Sequence, residues 1–272
     1  MNIKNLLDEY EKEGLLYDDA LAKACQDIIL HKIYESDLTE KVTIKGGVVL
    51  MNLSRDNRRA TRDLDLDFIK YSLADASIEK FINKLNKTKD NVKLEIKLIE
   101  PLKHEDYKGK RVIATFNDEF DNHFKFKLDV GVHKNLELEQ EELYFDLGSG
   151  IDSVTLLVNS KEQIIAEKLK SLLKIGAGTR RAKDIFDIYY LTQINEIDEK
   201  NLKLLLVDYI LLDEKMRENS FYDIYRRLDK ALNDKRFYNK MKDAKSNWLE
   251  LPIEEVISKV LNFFENLETV TV

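Results

Sequence analysis

Cysteine, proline and glycine are scarce in this sequence, and each scarcity excludes something. Cys25 is the single cysteine in 272 residues, which rules out an internal disulfide and any multi-cysteine metal site. Two prolines, Pro101 and Pro252, and 9 glycines leave little material for long irregular stretches, so the chain reads as rich in helices and strands. No run approaches the ~18 uncharged apolar residues that a membrane span requires. The N-terminus turns acidic at Asp8 and Glu9 without the apolar stretch of a signal peptide, which points to a cytoplasmic location. Positive charge is also in deficit: 44 basic against 51 acidic residues give a net charge of −7, so any contact with nucleic acid must rest on a local basic surface.

What is present is periodic. Residues 3–35 read as helices, with Leu21, Ala24, Ile28 and Ile33 at helical spacing. A short strand, Val42-Thr43-Ile44, leads through Gly46-Gly47 into a helix carrying Val49, Leu50 and Leu53. Residues 63–69 switch to the period of two that marks a strand. A helix is expected over 73–88, where Ile78, Phe81, Ile82 and Leu85 share a face. Strand-like runs follow at 92–99, 111–116, 124–132 and 154–158, and the acidic tract 137–142 reads as a solvated connection. From Ser160 to about residue 267 the pattern is helical. The expected class is α+β: N-terminal helices plus an α/β core over 1–158, then a helical C-terminal domain over 159–272.

The sharpest feature is Asp63-Leu64-Asp65-Leu66-Asp67-Phe68. On a strand, Leu64, Leu66 and Phe68 face one way and the three aspartates the other, each ~7 Å from the next. Like charges at that spacing repel unless a cation offsets them, and a hard divalent ion such as Mg²⁺ suits carboxylate oxygens. The plain alternative is an edge strand with a solvated acidic face. A second strand ends in Leu128-Asp129-Val130-Gly131-Val132, where Asp129 lies opposite the apolar face beside Lys125 and Lys127. It is a candidate third metal ligand or acceptor of a hydroxyl proton. Gly46-Gly47 at a helix start suits an approaching phosphate, although a tight turn explains such a pair equally well. The run 55–62, with Arg55, Arg58, Arg59 and Arg62, offers cations to a polyphosphate or is a solvated loop.

Taken in order, Lys45-Gly46-Gly47, then Arg59-Ala60-Thr61-Arg62-Asp63-Leu64-Asp65, then Asp129, resembles the polymerase-β-type nucleotidyltransferase core. More narrowly it resembles the AbiEii/AbiGii toxin family of type IV toxin–antitoxin systems. Glu167-Lys168-Leu169 and Arg181-Ala182-Lys183-Asp184-Ile185-Phe186-Asp187 match that family's later helical motifs, so the likeness spans 45–191. Fifteen residues separate Gly47 from Asp63, more than is usual in the wider superfamily. The pattern favours Asp63/Asp65 as the metal pair, while Asp65/Asp67 would serve geometrically.

The helical half has its own physical reading. A 100° step places Lys168 inside the apolar arc of Ile164, Ile165, Leu169 and Leu172, and Asp184 on a face with Arg181, Ile188 and Leu191. Buried Lys and Asp need partners, so the two form an ion pair between helices, face a substrate cleft, or do both. Lys168, Lys170, Lys174, Arg180, Arg181 and Lys183 gather positive charge that a nucleic-acid backbone could meet. His31, His104, His123 and His133 share no metal-ligand spacing, and Trp248 reads as helix packing.

The resemblance implies a Mg²⁺-dependent enzyme that moves a nucleoside monophosphate from an NTP to an acceptor hydroxyl. It implies tRNA as acceptor and a cognate antitoxin as partner. Catalytic roles fall on Asp63, Asp65, Asp129, Lys168 and Asp184, with metal on the first three. Nucleotide contacts fall on Gly46, Gly47, Arg59, Thr61 and Lys168. Transfer to a small molecule or a protein, and a non-catalytic module with a solvated acidic strand, are the alternatives.

Overall fold

The computed structural model describes residues 2–102, 109–133, 140–178, 181–194, 196–243 and 245–267. Arg180, His104 and the first part of the acidic tract, 137–139, lie outside them. The chain divides into two compact units, residues 1–159 and 160–272.

The first unit opens with helices α1 (Ile3–Lys12) and α2 (Tyr17–Glu35). Asn2 caps α1 by accepting from the Lys4 and Asn5 amides, and the helix buries Ile3, Leu6, Leu7 and Tyr10. Strand β1 (Val42–Lys45) follows and is buried throughout, then α3 (Gly47–Ser54), β2 (Leu64–Phe68) and α4 (Asp75–Leu85). Strands β3 (Lys93–Pro101), β4 (Lys110–Asn117), β5 (His123–Val132), β6 (Glu141–Phe145) and β7 (Val154–Val158) complete the unit.

Among the described residues these strands form one mixed sheet in the order β3-β4-β5-β2-β1-β7-β6. The β2–β5 and β1–β7 pairs are parallel, and every other pair is antiparallel. The central strands show why the alternation works. Leu64, Leu66 and Phe68 of β2 and Leu128 and Val130 of β5 are all almost wholly buried on the core side, each worth roughly 1.5–3 kcal/mol. Phe68 also meets Phe81 of α4 edge-on. The opposite side of the same strands is left for charge.

One expectation is corrected here. The tract 137–142 is not wholly a connection, because Glu141 and Glu142 begin β6, which pairs antiparallel with β7. Its first residues are exposed and only Phe145 is buried. A short, charged edge strand of this kind has little apolar alternation to betray it.

In the second unit all regular structure among the described residues is helical: α5 (Lys161–Ile175), α6 (Lys183–Ile194), α7 (Glu199–Leu206), α8 (Phe221–Leu232), α9 (Lys235–Met241) and α10 (Ile253–Leu267), with a π-helical turn at Val207–Leu211. Ser160 caps α5 by accepting from the Gln163 amide at 3.1 Å. Ile165, Leu169 and Leu173 of α5, Ile188 of α6, Leu228 of α8 and Val260 of α10 are buried in this unit.

Candidate active site

The parallel pairing of β2 with β5 sets Asp65 directly opposite Asp129, on strands ~4.8 Å apart. The antiparallel pairing of β5 with β4 sets Arg111 directly opposite Asp129 on its other side. The Arg111 guanidinium donates to both Asp129 oxygens, Nε to Oδ1 at 2.8 Å and Nη2 to Oδ2 at 2.7 Å. The same Nη2 lies 3.7 Å from Asp63 Oδ2, just before β2 begins. Two of the three expected acids are therefore drawn to one arginine. Partial burial, then repulsion from Asp129, raises the Asp63 carboxyl above its usual range, and Arg111 and Lys127 oppose that rise. Nothing in the sequence alone singles out Arg111. Its only signal was a basic residue at the start of a strand, which many strands share.

The glycine pair has a definite local purpose. Gly46 adopts φ +69°, and a Cβ there would sit 2.6 Å from Asp65 Oδ2. A Cβ on Gly47 would sit 2.6 Å from Thr61 Oγ1. The two glycines thus let the acidic strand and the Thr61 loop press against the start of α3, whose first turn has no side-chain cap. The Gln26 amide of α2 steadies that loop by donating to the Thr61 carbonyl at 2.8 Å. Arg59, just upstream, is buried at the end of a 3₁₀ turn.

Asp67 is engaged differently. Lys45 Nζ lies 2.9 Å from Asp67 Oδ1 and 3.1 Å from Oδ2, and both side chains are buried. The third aspartate of the alternating run is committed to the lysine of the Lys-Gly-Gly stretch. Asp67 thus has a buried cationic partner on the neighbouring strand.

Do these residues suit a divalent ion? Among the described residues no three His, Cys, Asp or Glu side chains stand gathered as a ligand set. The donor chemistry nevertheless fits Mg²⁺: Asp63, Asp65 and Asp129 supply hard oxygens, two of them beside the Arg111 guanidinium.

The second unit carries its own charged cluster. Lys168 Nζ of α5 lies 2.6 Å from Asp184 Oδ1 and 2.8 Å from Asp187 Oδ2, both on α6. The Trp248 indole donates to Asp187 Oδ1 at 3.0 Å, so Trp248 is more than packing. Arg181 Nη1 lies 3.9 Å from Asp184 Oδ2, which is buried and has no hydrogen-bond partner among the described residues. The ion pair expected from the helical wheel is present, with Asp187 as a second acid.

Several of the basic residues singled out in the sequence pair with acids. Arg58 holds Asp56, Arg62 holds Asp18 and Asp19, and Lys170 holds Asp213. Exposed Lys125 and Lys127 stand on β5, on the Asp129 side of the sheet, with Lys127 within electrostatic reach of Asp63.

Residues 28–259 match the sequence model of the family described as nucleotidyl transferase AbiEii toxin, type IV toxin–antitoxin system. The chain belongs to this family. It is accordingly a nucleotidyltransferase of the toxin class, for which the family implies a nucleotide substrate and an antitoxin partner. No curated protein matches the chain. Among solved structures it is similar to an antigenic nucleotidyltransferase-like protein from Paracoccidioides brasiliensis, with 18% identity over 67% of this chain and 86% of that one, at a TM-score of 0.39. No helix among the described residues is long and apolar enough to cross a membrane.

Proposed function

We propose that this AbiEii-family nucleotidyltransferase transfers a nucleoside monophosphate from an NTP to a hydroxyl of RNA, with tRNA as acceptor, in the cytoplasm and with Mg²⁺. The observation that carries the reading is the β2–β5 register, which stands Asp65 against Asp129 beside the Gly46-Gly47 helix start. Asp63, Asp65 and Asp129 would hold the metal, which would supply charge neutralisation for the triphosphate and for departing pyrophosphate. The chain's own residues do the rest. Backbone N–H groups at the start of α3 and the side chains of Arg59 and Thr61 meet the triphosphate. Asp129 takes the proton of the attacking hydroxyl as its oxygen forms a bond to the α-phosphorus and the bond to the pyrophosphate oxygen breaks. Lys168 and Asp184, paired within the helical unit, are the further catalytic residues that the family resemblance implies.

A nucleic-acid acceptor is favoured over a small molecule or protein by the exposed lysines of β5, Lys125 and Lys127, on the Asp129 side of the sheet. The test incubates the protein with each α-labelled NTP, Mg²⁺ and total RNA, and asks which species gains label. Label in a tRNA-sized species supports the reading. Equal labelling of a small hydroxyl compound or of protein in RNA-free buffer overturns the acceptor.

A further inference from the structure

Arg111 holds the acid that the proposed metal needs. Its guanidinium engages both oxygens of Asp129 in a two-pronged contact, and its Nη2 also approaches Asp63. The contact is built in by register, since Arg111 and Asp129 are direct partners on β4 and β5. An arginine remains charged at every working pH, so protonation chemistry cannot relieve it. A divalent ion taking a remaining lone-pair site on Asp129 must share the carboxylate with the guanidinium and tolerate that positive group a few ångströms away. We propose that Arg111 is a resident counter-ion that competes with the divalent metal for Asp129, and so sets how much metal the enzyme needs.

This rests on the metal reading given above, and it reaches further by naming a residue that weakens metal binding rather than supplying it. If Arg111 merely balances charge in the fold, its removal lowers stability and leaves metal affinity unchanged or weaker. If it competes, its removal tightens metal binding. Lys127 offers an internal comparison: it lies within electrostatic reach of Asp63 but makes no such contact with Asp129.

The experiment titrates Mn²⁺ into the full chain, reading bound metal by electron paramagnetic resonance and fold by thermal melt. Wild type is compared with Arg111→Gln, Arg111→Lys, Lys127→Gln and Asp65→Asn. Competition predicts about tenfold tighter Mn²⁺ binding in Arg111→Gln, a smaller gain in Arg111→Lys, whose ammonium cannot grip both oxygens, and a smaller gain still in Lys127→Gln. Equal or weaker binding in Arg111→Gln, while wild type binds Mn²⁺ in an Asp65-dependent way, overturns the proposal and leaves the metal reading standing. A gain in Lys127→Gln that equals the gain in Arg111→Gln also overturns it, since charge alone then accounts for the effect. If Arg111→Gln does not fold, Arg111→Lys decides: binding no tighter than wild type overturns the proposal. Absence of Asp65-dependent binding in every variant removes both.

Discussion

Lys45 reaches from β1 to the carboxylate of Asp67 on β2, at 2.9 Å, with both side chains buried. The run of three alternating aspartates is therefore not three equivalent acids. Asp67 balances a lysine inside the sheet, whereas Asp63 and Asp129 meet at Arg111.

The first prediction follows from that difference. Asp67→Asn removes the charge that compensates Lys45, and breaking a buried pair costs about 3–5 kcal/mol. Its melting temperature should fall clearly, while Asp65→Asn, in a less enclosed position, should melt close to wild type. Thermal unfolding of the two variants side by side checks this. The reverse order would mean that Asp65, not Asp67, holds the sheet together.

Gly46→Ala places a methyl group 2.6 Å from Asp65 Oδ2 at a residue with φ +69°. A strain of about 1–3 kcal/mol is expected, relieved in part by pushing the Asp65 carboxylate aside. Nucleotide labelling should fall by more than the loss of folded protein explains. Circular dichroism and labelling measured on one preparation separate the two effects.

Lys168→Ala removes the cation that Asp184 and Asp187 share, with Arg181 remaining 3.9 Å from Asp184. A loss of about 3–5 kcal/mol is expected in the C-terminal unit. Lys168→Arg keeps the charge and should recover most of that stability. Loss of labelling in a well-folded Lys168→Arg would then report contact with the substrate rather than a structural pair.

The turn between β4 and β5 should be acid-sensitive through Asp118. Burial alone would raise this carboxyl. Hydrogen bonds from the Asn122 side chain and the Asn122, Phe120 and Ile3 amides outweigh it and hold the group below its usual value near 3.8. A depressed carboxyl contributes stability that is present above the unfolded value and is lost as pH falls through the folded one. Asp118→Asn should therefore melt below wild type at pH 7, and the gap should close as pH falls below 3.8 and through the lowered folded value. Melting curves across pH 2–7 read this directly.

Much of this was legible because period-two and period-3.6 patterns report one buried face. Leu64, Leu66 and Phe68 announce β2, and Lys168 inside an apolar arc announces a partnered charge, here Asp184. What stayed hidden depends on which strands become neighbours. Nothing in the local sequence of Arg111 shows that β4 lies beside β5 with Arg111 against Asp129. Nor does Asp67 reveal Lys45, 22 positions away, until β1 and β2 pair. β6 escaped notice because an edge strand buries too little to be periodic, and Trp248 hid its hydrogen bond to Asp187 behind a residue type that usually signals packing.

The most direct measurement of the central claim is Mg²⁺-dependent transfer of label from an α-labelled NTP by wild type, Asp65→Asn and Asp67→Asn, each corrected for its folded fraction. The account predicts that Asp65→Asn loses about a hundredfold or more, that EDTA abolishes transfer by wild type, and that folded Asp67→Asn keeps substantially more activity than Asp65→Asn. Full activity in a folded Asp65→Asn, or wild-type transfer undiminished by EDTA, would contradict it.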